Sequence, residues 1–374
     1  MTLLDPMRGD SNERDSNERD SNVSDSEVDF GRKIRILRLA EDRINGRIDV
    51  RTVVVCTILV VLSLFVAVIA LGTGDYYIPP GDVLKAVFSD APRFTELVVM
   101  EWRFPRVALA LLLGAALGVS GAIFQSLTRN PLGSPDIIGF DTGAYTGALI
   151  VILTLGGGYY QTGAGALIGG ICTAAVVYLL AFKRGVQGFR LIIVGIAISA
   201  ILASVNTWLI IKADLADAMA AAVWGAGSLN GLSWAQVGPV LIVLVVITPM
   251  LAVVAKRLPM LEMGDDAAKA LGIRAEPTRL ILMVLGVALT ALVTAAAGPI
   301  SFISLAAPQL VRRLTKTAGV ALIPSAVMGA FLLVVSDWVA QRVFAPTQLP
   351  VGVVTVSIGG AYFVWLLARE GRKQ

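Results

Sequence analysis

The chain has 374 residues, of which 56% are hydrophobic and only 16% charged, whereas soluble domains run at roughly 45–50% apolar and 25% charged. That balance excludes an ordinary soluble domain and predicts an all-α polytopic membrane protein. A net charge of +4 belongs to membrane topology rather than to nucleic-acid binding, and the absence of His removes the usual transition-metal ligand and proton shuttle, so no metal site is expected.

Residues 1–30 are polar, open with no cleavable signal peptide and carry a pentad repeat, Asp10-Ser11-Asn12-Glu13-Arg14 followed by Asp15-Ser16-Asn17-Glu18-Arg19. They read as a disordered tail. In the basic juxtamembrane segment 31–51, Ile34, Leu37, Leu39, Ile44 and Ile48 stand among seven Arg and Lys residues, and an amphipathic helix on an anionic leaflet is expected. The region 52–369 contains long stretches without Asp, Glu, Lys or Arg. About 20 apolar residues cross a bilayer as a helix. Ten spans are therefore predicted near 52–72, 107–127, 137–155, 163–182, 190–211, 234–255, 279–297, 302–314, 319–341 and 351–368, with Gly156-Gly157-Gly158 separating the third and fourth and Gly298-Pro299 breaking the eighth. Cys56 and Cys172 lie in apolar stretches and imply no disulfide.

An even number of spans puts both termini on one side. Lys and Arg concentrate in 31–51, at Arg129, at Lys183, Arg184 and Arg190, in the loop 256–279, at Arg312, Arg313 and Lys316, and at the C-terminus 370–374. These segments, and both termini, are expected in the cytoplasm. Small residues at helical spacing, Gly114, Gly118 and Gly121, and Gly143 and Gly147, predict close helix packing in preference to substrate contact.

Three segments carry candidate mechanism. In the cytoplasmic loop 256–279, Gly264-Asp265 offers an N-cap, Asp266 favours the first turn and Gly272 follows Leu271 as a C-cap glycine. A two-turn helix is expected; it is marginal alone, so either a groove on a cytoplasmic partner holds it or the loop is merely solvated. At the outer end of the second span stand Arg103-Phe104-Pro105-Arg106. They are either interface anchors or receivers of carboxylates from an external protein. Asp337 lies in the ninth span beside Trp338, with Asp136 and Asp141 near a cytoplasmic end; so few acids make a thin proton relay, and a structural hydrogen-bonding role is favoured for Asp337. No Gly-Lys dipeptide occurs, so the phosphate-cradling loop is missing and any ATP is hydrolysed by another chain.

Taken in order, Arg103–Arg106, Gly121–Asp136, Leu261–Gly272, Ala297–Phe302 and Leu349–Thr355 carry a family pattern. From Arg51 to Arg369 the sequence resembles the permease subunits of the iron-siderophore and vitamin B12 class of ABC importers. The resemblance implies the type II ABC importer permease fold, a dimer of permeases, two cytoplasmic ATPases holding ATP and Mg, and an external binding protein, with no cofactor bound by this chain. It places Gly264, Asp265, Asp266, Ala268, Lys269, Leu271 and Gly272 on the ATPase-coupling helix. Arg103 and Arg106 fall at the binding-protein surface, and Asn130, Leu132, Gly188 and Phe189 near a cytoplasmic gate. Three departures stand out: Pro308-Gln309 for Pro-His, Gln341 beside Arg342 at a third outer Arg, and Gly359-Gly360-Ala361 for Gly-Ala-Pro. With Gly227–Gly231 they resemble the second permease of ferric-enterobactin-type importers, which implies a heterodimer with a paralogue and leaves Arg342 as the third docking cation.

The expected function is the transmembrane subunit of an importer in a bacterial cytoplasmic membrane, carrying a ferric siderophore with an enterobactin-like catecholate favoured. Haem and cobalamin remain alternatives. A secondary carrier would show inverted repeats and midplane ion ligands, and a membrane enzyme a nucleophile or base cluster; the sequence shows neither pattern.

Overall fold

The computed structural model describes residues 34–39, 44–89, 91–182, 188–317 and 319–371. The tail 1–30, Lys183, Arg184 and the last three residues lie outside them. Two units are distinguished, 1–51 and 52–374.

In the first unit, β1 (Ile34–Leu39) pairs antiparallel with β2 (Ile44–Asp49), Ile34 facing Asp49 and Leu39 facing Ile44. This corrects the amphipathic helix expected over 31–51. Asn45 and Gly46 would fall inside that helix, where Gly costs about 1 kcal/mol relative to Ala. The β-branched Ile34, Ile36, Ile44 and Ile48 suit a strand instead.

The second unit is helical. Each of the ten expected spans coincides with a helix: α1 (Val50–Gly72), α4 (Phe104–Thr128), α5 (Phe140–Leu155), α6 (Tyr159–Ala181), α7 (Gly188–Lys212), α9 (Trp234–Ala255), α12 (Ala275–Ala297), α13 (Ile303–Thr315), α14 (Leu322–Arg342) and α15 (Val351–Gly371). Among the described residues, seven helices are long and apolar enough to cross a membrane, α5 and α15 being shorter apolar ones. Short helices fill the connections: α2 (Pro80–Phe88), α3 (Arg93–Glu96), α8 (Leu215–Gly225), α10 (Leu258–Glu262) and α11 (Asp265–Ala270). Their boundaries follow local chemistry. Ser233 and Gln236 form a capping box at the start of α9, and Gly298, at φ 72°, ends α12 in a conformation that a side chain disfavours.

The core gathers around α4 and α12. In their apolar windows 72% and 61% of residues are buried, against 11% in α7, so the first two are central and α7 presents an outer face. Glycines set the closest approaches: a Cβ on Gly114 or Gly118 would strike the backbone of Gly329 or Ser325 in α14, and one on Gly143 or Gly147 would strike α6 at Thr173 or Gly165. Without a hydrophobic drive between helices in lipid, such backbone contact and interhelical hydrogen bonds hold the bundle. Ser120 supplies one bond, donating to the Gly286 carbonyl at 2.8 Å between α4 and α12. Exposed apolar side chains such as Val61, Phe65, Ile196, Ile201 and Val245 suit a lipid solvent.

Candidate functional site

At one end of α4, Pro105 lies at the second helical position and has no N–H to give. The preceding segment Leu97–Arg103 widens into a π-helix, with the Phe104 amide donating to the Val99 carbonyl. The Trp234 indole donates to the Met100 carbonyl at 2.9 Å, satisfying backbone within the widened turn. This geometry turns the two arginines to different tasks. Arg103 crosses Gly74, where any side chain would displace its guanidinium, and donates to the Leu71 and Tyr76 carbonyls at 2.7 and 2.6 Å. It thereby caps the C-terminus of α1 with a positive charge. Arg106 forks onto Asp337 in α14, with contacts of 2.8, 2.9 and 3.2 Å, and donates to Gln348 at 2.9 Å. Gln341 donates to the same carboxylate at 2.8 Å, and the Trp338 indole reaches Thr73 at 3.2 Å.

Arg106 is 13% exposed and neutralises a carboxylate that is 2% exposed, so a partner's carboxylate would compete with Asp337 for it. Arg342 lies within Coulombic range of Arg103, and its Nε is buried without a hydrogen bond among the described residues. Two cations, Arg103 and Arg342, thus gather at this end, with the Asp75 carboxylate also within Coulombic range of Arg103.

At the opposite end of α4, Arg129 caps the helix in the left-handed region, φ 50°, and joins three elements. Its guanidinium donates to the Leu261 carbonyl of α10 at 2.9 and 3.2 Å and pairs with Asp265 of α11 at 2.6 Å. Arg279 of α12 approaches the same carboxylate at 2.5 Å. Burial works to raise the Asp265 pKa, but the hydrogen bonds and charges of Arg279 and then Arg129 outweigh it and hold the carboxyl below the usual range. Asp265 anchors rather than caps. The helix ends in a Schellman arrangement: the Ile273 amide donates to Ala268 and the Gly272 amide to Lys269, both at 2.9 Å, with Gly272 at φ 79°.

Two faces of α11 separate here. Ala268 is 0% exposed, packed within the chain, whereas Leu271 is 58% and Met263 71% exposed, beside exposed Asp266, Lys269 and Gly272. Ala268 is thus removed from the expected contact set with a partner, because its own bundle covers it. Gly264, at φ 120° with open space around its Cα, gives the turn into α11.

The loop after α4 carries the expected gate residues. Asn130 accepts the Leu132 amide at 2.9 Å, an Asx turn. Gln309 of α13 donates to the Pro131 carbonyl at 2.6 Å, and Gln125 of α4 to Leu305 at 2.9 Å. Gly188 lies against the Thr128 backbone too closely for any Cβ, bringing the start of α7 beside this loop, while Phe189 is 74% exposed. Glu262, Arg129, Asn130 and Arg312 line a cavity of about 240 Å³ beneath it. Asp136, from the same loop, accepts the Phe302 amide at 3.0 Å and the Ser304 hydroxyl at 2.8 Å, so a carboxylate sits at the N-terminus of the broken α13.

Sequence reasoning missed Arg129 and Arg279 as anchors of α11. The available signal was weak: each is a lone cation at a span end, where anchoring in the interface is the ordinary reading. Among the described residues no three Asp, Glu or Cys side chains come together as metal ligands.

The model of the FecCD transport family matches residues 59–369. The ferric enterobactin transport system permease protein FepG of Escherichia coli is 48% identical over 324 residues, covering 87% of this chain and 98% of that protein. The iron(3+)-hydroxamate import system permease protein FhuG of Bacillus subtilis is 37% identical over 331 residues, covering 85% and 98%. Among solved structures, a metal-chelate type ABC transporter in an inward-facing conformation superposes with a TM-score of 0.75 at 27% identity, covering 84% of this chain and 99% of that one.

Proposed function

The chain belongs to the FecCD transport family, and on that premise we propose that it forms one membrane-spanning half of an ABC importer that moves a ferric siderophore inward, an enterobactin-like catecholate before other chelates. The observation that carries this reading is the 48% identity to a ferric enterobactin permease along 98% of that relative. The protein is a multi-pass membrane permease with the type II ABC importer fold, not an enzyme, and ATP with Mg is bound and hydrolysed by a separate subunit.

The geometry supports finer assignments. Both termini lie in the cytoplasm, as the Lys and Arg distribution favours. The exposed rim of α11, Met263, Asp266, Lys269, Leu271 and Gly272, fits the ATPase groove, with Gly264 and Asp265 orienting it. Asp265 ties that helix through Arg129 to the loop bearing Asn130 and Leu132, so a displacement of α11 reaches the gate through one ion-paired residue. On the outer side, Arg103 and Arg342 meet carboxylates of the binding protein. Gln309, Gln341 and Gly359-Gly360-Ala361 favour a paralogue as the second permease. ATP and the binding protein drive the cycle by differing in affinity for inward and outward states.

The test is growth of a host lacking this gene on single iron sources. Restored growth on the ferric catecholate, and not on hydroxamate, citrate, haem or with cobalamin as the required nutrient, is expected. Restoration by haem or cobalamin alone would overturn the cargo assignment.

A further inference from the structure

A cavity of about 360 Å³ opens between α5, α7 and the segment that breaks α12 from α13, and its polar lining comprises Asp141, Thr142, Tyr145, Asn206, Thr207 and Ser301. None of its lining residues is Lys or Arg. Asp141 is 8% exposed and Asn206 4%. Both carboxylate oxygens of Asp141 and the amide oxygen of Asn206 are buried without a hydrogen-bond partner among the described residues.

All three orphan atoms are acceptors. The Asn206 nitrogen points to the Thr142 carbonyl at 3.5 Å, leaving the oxygen for the cavity. Two lining hydroxyls have committed their protons elsewhere, Tyr145 to the Ala221 carbonyl at 3.2 Å and Thr207 to the Ala203 carbonyl at 2.9 Å, so each offers lone pairs. Asp136, the nearest acid in charge terms, is already satisfied by Phe302 and Ser304. The hydroxyls of Ser301 and Thr294 lie close to Asp141, so the site holds neutral hydroxyls and bare acceptors but no cationic side chain, inside a bundle where a lone carboxylate calls for a charged partner.

A proton would neutralise Asp141 but, unlike a cation, would not gather the several oxygens of the cavity as ligands. A divalent ion would call for more charge than one free carboxylate supplies. We propose that this cavity is a site for a monovalent alkali cation, Na+ or K+, with Asp141 supplying the charge and the Asn206 oxygen the leading neutral ligand. Occupancy neutralises a buried negative charge beside α7, and the binding does not rest on the import reading.

The experiment uses the full chain in lipid nanodiscs, titrated calorimetrically with NaCl and with KCl against an N-methylglucamine background. Saturable binding of at least one ion is expected. Asp141→Asn, close in shape, should abolish it, and Asn206→Leu should weaken it about tenfold, the order of one contact to a charged group. Thermal melting of the wild-type protein alone gives a second readout: Na+ or K+ should raise the midpoint where N-methylglucamine does not. No saturable heat and no ion-specific stabilisation overturns the site, as does undiminished binding by a folded Asp141→Asn. An infrared carbonyl band of protonated acid at neutral pH in saturating Na+ and K+, lost in Asp141→Asn, assigns a proton instead and also overturns it. Import without ion binding would sink the site alone; ion binding without import would sink the cargo reading alone.

Discussion

Asp337 and Arg106 stand 231 positions apart in the chain yet share three short contacts. Removing one charge leaves the other buried, at a cost of about 3–5 kcal/mol. Asp337→Asn should therefore lower the melting temperature of the detergent-solubilised protein sharply, and Arg106→Gln combined with it should recover part of the loss. A melting temperature unchanged by Asp337→Asn, with binding-protein affinity reduced instead, would place Arg106 at the docking surface. Asp265 behaves differently with pH. Its folded pKa lies below the unfolded value of about 3.9, so its contribution is complete above that value and lost only as pH falls through the lower folded one. Hydrogen-exchange protection of the Ala268–Leu271 amides should be constant from about pH 8 to about pH 5; loss of protection within that interval would show that the Arg129 and Arg279 contacts do not hold α11. At this scale the sequence marked both residues as notable, but local context cannot bring position 337 to position 106.

The same division runs through the elements. Ten apolar spans were legible because lipid demands long uncharged helices, and the breaks at Gly156–Gly158 and Gly298-Pro299 were visible as glycine and proline. The helices α2, α8 and α10 and the π-helical turn before Pro105 carried no comparable pattern, since tertiary contacts such as Trp234 to Met100 settle them. The basic segment 31–51 misled: its apolar residues match helix and strand periods alike, and Gly46 with β-branched Ile decides for the hairpin. For α11, caps predicted the helix but not which face is free. Leu271→Asp, on the exposed rim, should abolish ATPase co-purification while leaving the permease's unfolding free energy within about 0.5 kcal/mol of wild type. Ala268→Asp should instead destabilise the permease itself by burying an unpaired charge. The reverse pattern would mean that α11 presents its other face to the partner.

Across the whole molecule, the two ends of α4 hold separate charge clusters, Arg103 with Arg342 at one and Arg129, Asp265 and Arg279 at the other. If the first receives an acidic binding protein, Arg103→Glu with Arg342→Glu should raise the dissociation constant strongly at low salt and much less at high salt; equal affinity for mutant and wild type would remove this pair from the docking surface. Because Arg103 also caps α1, the double variant needs an unchanged melting profile to count. The most direct test of the central claim is ATP-dependent accumulation of radiolabelled ferric enterobactin by sealed vesicles containing this chain, its paralogous permease and the ATPase, with the binding protein on the outside. Uptake that requires ATP, the binding protein and both permeases is the predicted result. Uptake that persists without ATP, or its absence with every component present while another chelate is carried, would contradict the account.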